Sequence, residues 1–144
     1  MPIAATAEAG VAGGIHQAPI VFGYDGSEHA KAAIREAALQ LRPGRHAIVV
    51  TVAPDLHARD VADEGAELAR SVGFDAMPLV VHGDPVWRRL LDAAREVNAA
   101  LLVLGAHGRT PLRLLVPIGS VAAATSRHAE RPVLIVHDRS AQAA

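Results

Sequence analysis

Apolar residues along this chain fall into two kinds of run, and the two kinds alternate. Ile20–Tyr24 is a short, nearly continuous apolar run that predicts a strand buried on both faces. After Asp25-Gly26-Ser27-Glu28, residues Ala30, Ile34, Ala37 and Leu41 recur at helical spacing, and Pro43-Gly44 ends that helix. Ala47–Val52 predicts a second strand, ending at Pro54. A weaker amphipathic helix spans about 56–72, with Val61, Leu68 and Val72 inward and Gly73 as its stop. Met77–Val81 predicts the third strand, closed by Gly83-Asp84-Pro85. Pro85 suits the first turn of a helix whose apolar face is Val86, Leu90, Ala93 and Val97. Leu101–Leu104, a short helix over about Ser120–Ala129, and Val133–Val136 complete the pattern. Five short strands alternating with helices predict an α/β fold, a doubly wound parallel sheet. Ligands of such sheets bind beyond the carboxyl ends of the strands, at the switch point. No internal repeat or interdomain linker interrupts the alternation.

Composition narrows the picture. The 144 residues are 51% hydrophobic but only 3% aromatic, so the core is built from Val, Leu, Ile and Ala, the recipe of parallel strands under helices. A net charge of -1 supplies no bulk attraction to nucleic acid or to an anionic membrane. Cysteine is absent, which removes disulfides, thiolate catalysis and cysteine-based zinc sites together. No apolar run approaches the ~20 residues that span a bilayer. The Ala/Gly-rich N-terminus has no Lys or Arg before Lys31, unlike a signal peptide. The expectation is a cytoplasmic domain over residues 19–138, with disordered tails at 1–18 and 139–144.

Candidate chemistry concentrates in Leu101–Val121. Gly105 and Gly108 follow the fourth strand, and Gly119-Ser120 opens the next helix. Strand, glycine loop and helix N-terminus together read as an anion cradle, where backbone N–H groups approach phosphate oxygens and the helix end adds about half a positive charge. Charge agrees, since no Asp or Glu lies between Val97 and Ala129 while Arg109, Arg113 and Arg127 do. The same residues also admit a plainer reading, with the glycines as loop punctuation and Ser120 as a helix N-cap.

Other chemistries find less support. No Gly-Lys-Ser/Thr occurs, and the turn after strand one reads GYDGSE rather than G-x-G-x-x-G. A response-regulator receiver would need an acidic cluster after strand one and a lysine after strand five. No Gly-x-Ser-x-Gly elbow is present. The eight histidines include no His-x3-His pair on a helix, so no metal is expected. Trp87 reads as a packing or surface residue.

Four segments, in order, resemble the universal stress protein family: IVFGYDGSEHA at Ile20–Ala30, HGDP at His82–Pro85, NAALLVLGAHGRT at Asn98–Thr110, and GSVAAATSRHAERPVLIV at Gly119–Val136. The resemblance covers roughly residues 19–137. It implies an adenine nucleotide alpha-hydrolase-like fold, five parallel strands in the order 3-2-1-4-5 with helices on both faces. It further implies ATP, with or without Mg2+, bound between the ends of strands one and four. Gly23 and Val52 would line the base pocket, with Leu104 and Gly105 on the opposite wall. Asp25 would accept from the adenine amine or a ribose hydroxyl, a role compatible with a D-x-x-E capping box formed with Glu28. Gly108, Gly119, Ser120 and the N–H of Val121 would hold phosphates, and Arg109 would screen their charge. In the family's nucleotide-binding branch nine residues separate the second glycine from Gly-Ser; here there are ten, Arg109 to Ile118. The extra residue adds up to ~3.5 Å of chain. Pro111 stands where relatives often carry glycine, and Pro117 precedes Ile118; neither donates a backbone N–H.

The resemblance also implies a homodimer through the fifth strand, Val133–Val136, whose uncharged branched side chains would otherwise invite pairing on an open edge. The leading reading is thus a nucleotide-dependent stress-response regulator that is not a dedicated enzyme, slow hydrolysis through Asp25 being the enzymatic alternative. The other alternative is a universal stress domain without nucleotide, a dimerisation or partner-interaction module whose loop packs through Leu112, Leu114 and Leu115.

Overall fold

The computed structural model describes residues 18–53, 56–108 and 118–138. The predicted tails (except Ala18), Arg109, the loop prolines Pro111 and Pro117, and the leucines Leu112, Leu114 and Leu115 lie outside them. The elements in chain order are β1 (Ile20–Gly23), α1 (Glu28–Gln40), β2 (His46–Ala53), α2 (Ala58–Ser71), β3 (Asp75–His82), α3 (Val86–Glu96), β4 (Leu101–Gly105), α4 (Ser120–His128) and β5 (Val133–Val136). All strand pairs are parallel, and the sheet order is β3-β2-β1-β4-β5. This is the order that the resemblance implies.

Two-residue alternation divides the strands between two cores. Ile20, Phe22, Val49 and Val103 face α1 and α2, whose Ala33, Ile34, Ala37, Ala66 and Ala69 cover them. Val21, Val50, Leu102 and Leu104 face α3 and α4, through Leu90, Ala93, Ala94 and Ala122. Phe22 and Phe74 add an edge-to-face pair with centroids 5.3 Å apart. Small residues let the helices lie close to the sheet. At Gly65 of α2 a Cβ would stand 2.6 Å from Tyr24 Cδ2 and 2.7 Å from Val49 Cγ1. The inward face of α2 is therefore Ala58, Ala62, Gly65, Ala66 and Ala69; the predicted Val61, Leu68 and Val72 pack half-buried at its margin. Hydrophobic bulk marked the margin of the inward stripe but not its centre, because close approach favours small side chains.

β3 extends beyond the predicted Met77–Val81 to Asp75 and His82. It is an edge strand, which is why it tolerates Pro78 and the exposed Asp75. Pro85 sits at the N-cap position of α3 instead of in its first turn. Trp87 of α3 stacks on His128 of α4 with centroids 4.5 Å apart, joining the two helices.

Thr125 of α4 is fully buried, and its hydroxyl has no hydrogen-bond partner among the described residues. An unpaired buried hydroxyl costs about 1–3 kcal/mol, and valine has nearly the same shape. Thr125→Val is expected to stabilise the domain by about 1 kcal/mol, measured as a raised urea midpoint at unchanged slope.

Candidate nucleotide site at the switch point

The chain leaves β1 toward β2 on one side and β4 toward β5 on the other, so a crevice opens where their carboxyl ends diverge. A cavity of about 310 Å³ occupies it. Gly23 and Asp25 from the end of β1, Val52 from β2, Leu104, Gly105 and Gly108 from β4 and its loop, and Gly119, Ser120 and Val121 at the start of α4 all line this cavity. The structure thus brings together every predicted site residue except Arg109, which lies outside the described residues.

None of the four glycines around the cavity has a positive φ; those that do, Gly26, Gly44, Gly73 and Gly83, lie in turns elsewhere. The cavity glycines provide clearance instead. A Cβ on Gly23 would run into Leu104 Cδ2 and stand 3.2 Å from Leu90 Cδ1. On Gly105 it would meet the His29 carbonyl carbon at 2.6 Å, and on Gly108 the Asp25 Oδ2 at 2.7 Å. At Gly119 it would lie 3.2 Å from Ala106 O.

The end of β1 is firmly held. Tyr24 N donates to Val50 O at 2.9 Å, and Thr51 Oγ1 donates to Tyr24 O at 2.9 Å. The Tyr24 hydroxyl donates to Glu64 Oε1 at 2.6 Å. Burial, then this hydrogen bond and the Glu64 charge, push the phenol well above its usual pKa, so it remains a donor at all physiological pH. Asp25 Oδ1 accepts from Ser27 N at 2.9 Å across the turn that Gly26 makes at φ 82°.

Two capping expectations need correction. Asp25 and Glu28 do not form a capping box: α1 begins at Glu28, so its N-cap is Ser27, whose Oγ accepts from Ala30 N at 3.1 Å. Asp25 lies two residues before the N-cap, and its carboxylate accepts from Ser27 N instead. In α4 the N-cap is Gly119 and Ser120 is the first helical residue, with no side-chain cap bond. Gly119 N itself donates to Ala106 O at 2.7 Å, while Ala106 N donates to Val136 O at 2.8 Å. That pair of bonds docks α4 on the end of β4. It also uses the Gly119 amide, leaving Ser120, Val121 and Ala122 as the first-turn amides without intrahelical acceptors beside the cavity.

The sequence did not reveal that α3 contributes to this cavity. Val86 and Leu90 line it, together with Tyr24, Val50 and His107. Val86 and Leu90 were visible as one helix face, but only the crossover places that face above the β1–β4 crevice. Chemically, the site offers apolar walls, one carboxylate and a positive helix end, which suits a flat heteroaromatic group joined to an anion. No helix among the described residues is long and apolar enough to cross a membrane.

Comparisons with known proteins agree with this architecture. A universal stress protein of Mycobacterium tuberculosis is 31% identical over 145 residues, 83% of this chain and 47% of that protein; the chain therefore spans about half the length of the curated relatives it matches. A universal stress protein solved in complex with cAMP is 32% identical and superposes with a TM-score of 0.67, covering 85% of this chain and 97% of that one. The universal stress protein of Archaeoglobus fulgidus solved in complex with dAMP is 25% identical with a TM-score of 0.67, covering 84% and 98%. The sequence model of the universal stress protein family matches residues 18–137, the stretch that contains the whole described sheet, and the chain belongs to that family.

Proposed function

We propose that this domain binds an adenine nucleotide, ATP by the glycine motif, and works as a nucleotide-dependent stress-response regulator and not as a dedicated enzyme. One observation carries the reading: the residues that the motif implies line a single cavity at the switch point, despite the longer connector. Solved relatives with cAMP and dAMP support the adenine preference. Val52, Gly23 and Leu104 flank the base, Asp25 accepts from the nucleoside, and the α4 amides face phosphate. Bound Mg2+ would neutralise phosphate charge. Calorimetric titration with ATP and AMP, with mass spectrometry of nucleotide co-purifying with the protein, tests the reading. Saturable binding of either nucleotide is expected; no heat at millimolar concentrations of both overturns it.

The two sheet edges differ in a way that supports homodimerisation through β5. The β3 edge carries Pro78 and Asp75, whereas Val133–Val136 has neither charge nor proline. Pro132 O and Val136 O accept from β4, so by strand alternation the backbone groups of Ile135 point to the open edge. Ile135→Pro therefore leaves the β4 ladder intact but removes an outward donor. The variant is expected to sediment as a monomer while the unmodified protein sediments as a dimer, with the circular dichroism of the two unchanged. Equal sedimentation would place the interface elsewhere.

A further inference from the structure

We propose that His107 is the side chain with which this cavity recognises phosphate, so that it distinguishes a nucleotide from the corresponding nucleoside. The inference rests on the nucleotide reading and adds to it a residue that the glycine motif leaves unassigned.

His107 lines the cavity, yet is only 6% exposed. Among the described residues no hydrogen bond engages its ring nitrogens; its one described interaction is an edge-to-face contact with His29, centroids 5.1 Å apart and planes at 69°. Neither nitrogen is among the fully buried side-chain atoms that lack a partner, so both are accessible, and a neutral ring always carries one N–H donor. A ligand oxygen in the cavity would supply an acceptor for it.

The ring is braced by a second histidine. His29 is itself buried, and its Nδ1 accepts the backbone N–H of Asp138 at 3.2 Å. Because the supporting histidine is tied to the chain just after β5, His107 is held in place before any ligand arrives, which lowers the ordering cost of binding.

Gly119 keeps the nitrogen reachable. With φ -71° and ψ 167° its backbone suits any residue. A Cβ there would lie 3.6 Å from His107 Nδ1, in the space through which a ligand atom approaches that nitrogen. The first-turn amides of Ser120 and Val121 border the same space, so helix end and imidazole converge on one anion. Asp25, the charged side chain among the described lining residues, accepts from Ser27 and stands at Gly108. As a carboxylate it repels phosphate and suits a hydroxyl or amine donor of the nucleoside, leaving the anion to His107 and α4.

The test compares AMP with adenosine by calorimetry on the unmodified protein and on His107→Leu. The unmodified protein is expected to prefer AMP. His107→Leu is expected to lose at least about tenfold in AMP affinity while adenosine affinity stays within twofold. Equal losses for both ligands, or no loss for AMP, would overturn the assignment. In the unmodified protein, AMP but not adenosine is expected to shift the His107 ring 15N resonances, a measurement that stands even if the variant folds poorly; no shift with bound AMP would also overturn it. Failure of the unmodified protein to bind either ligand would defeat the nucleotide reading as a whole, a result distinct from binding that ignores His107.

Discussion

Replacing Gly105 by alanine is expected to destabilise the domain by roughly 1–3 kcal/mol, the usual cost of forcing an extra methyl into a packed interior. A Cβ there would stand 2.6 Å from the carbonyl carbon of His29, 2.7 Å from its oxygen and 2.9 Å from its Cβ. Backbone atoms cannot rotate aside as a leucine tip can, so either β4 or the start of α1 must move. β4 is hydrogen-bonded on both sides, to β1 and β5, and displacing it breaks two ladders. Moving α1 pulls His29 away from Asp138 and from the back of His107. Either route lowers the thermal midpoint by several degrees and weakens nucleotide binding in parallel. Differential scanning calorimetry checks the first effect and AMP titration the second. An unchanged midpoint would mean that β4 and α1 do not approach this closely.

That close contact lies at the boundary between what the sequence discloses and what it hides. Strands β1, β2, β4 and β5 were legible because Ile20–Tyr24, Ala47–Val52, Leu101–Leu104 and Val133–Val136 are apolar runs bounded by turn residues. Gly105, Gly108, Gly119 and Asp25 were legible as a group because their spacing matches a known motif. Their reasons were not. Glycine suggests freedom of φ, but these glycines have ordinary backbone angles and are needed for space. Space depends on neighbours distant in sequence, such as Leu104 and Leu90 against Gly23, which no local pattern encodes. The ends of β3 were missed because an edge strand needs no continuous apolar run: Asp75 and His82 extend into solvent. The N-cap of α1 was displaced to Ser27 because Asp25, Ser27 and Glu28 all have capping chemistry, and only the geometry of the Gly26 turn selects among them.

Gly119→Val is expected to abolish nucleotide binding, at least about a hundredfold loss or roughly 2.7 kcal/mol, while the protein stays folded. The backbone of Gly119, at φ -71° and ψ 167°, lies in the region where β-branched residues are comfortable. Its hydrogen bond to Ala106 O survives, because valine retains the amide. The new Cβ would sit 3.2 Å from that oxygen, a contact relieved by a few tenths of an ångström, and valine is a poorer N-cap than glycine. These terms together amount to about 1 kcal/mol of stability. The binding term is larger because the methyl groups must occupy the space bordered by His107, Ser120 and Val121, where the anion is placed. Two methyls buried against phosphate would exclude the ligand. Equilibrium dialysis with ATP and AMP, alongside urea denaturation, separates the two effects. Retained affinity in a folded Gly119→Val protein would show that the anion site lies away from α4, whereas in Gly105→Ala stability and affinity must fall together.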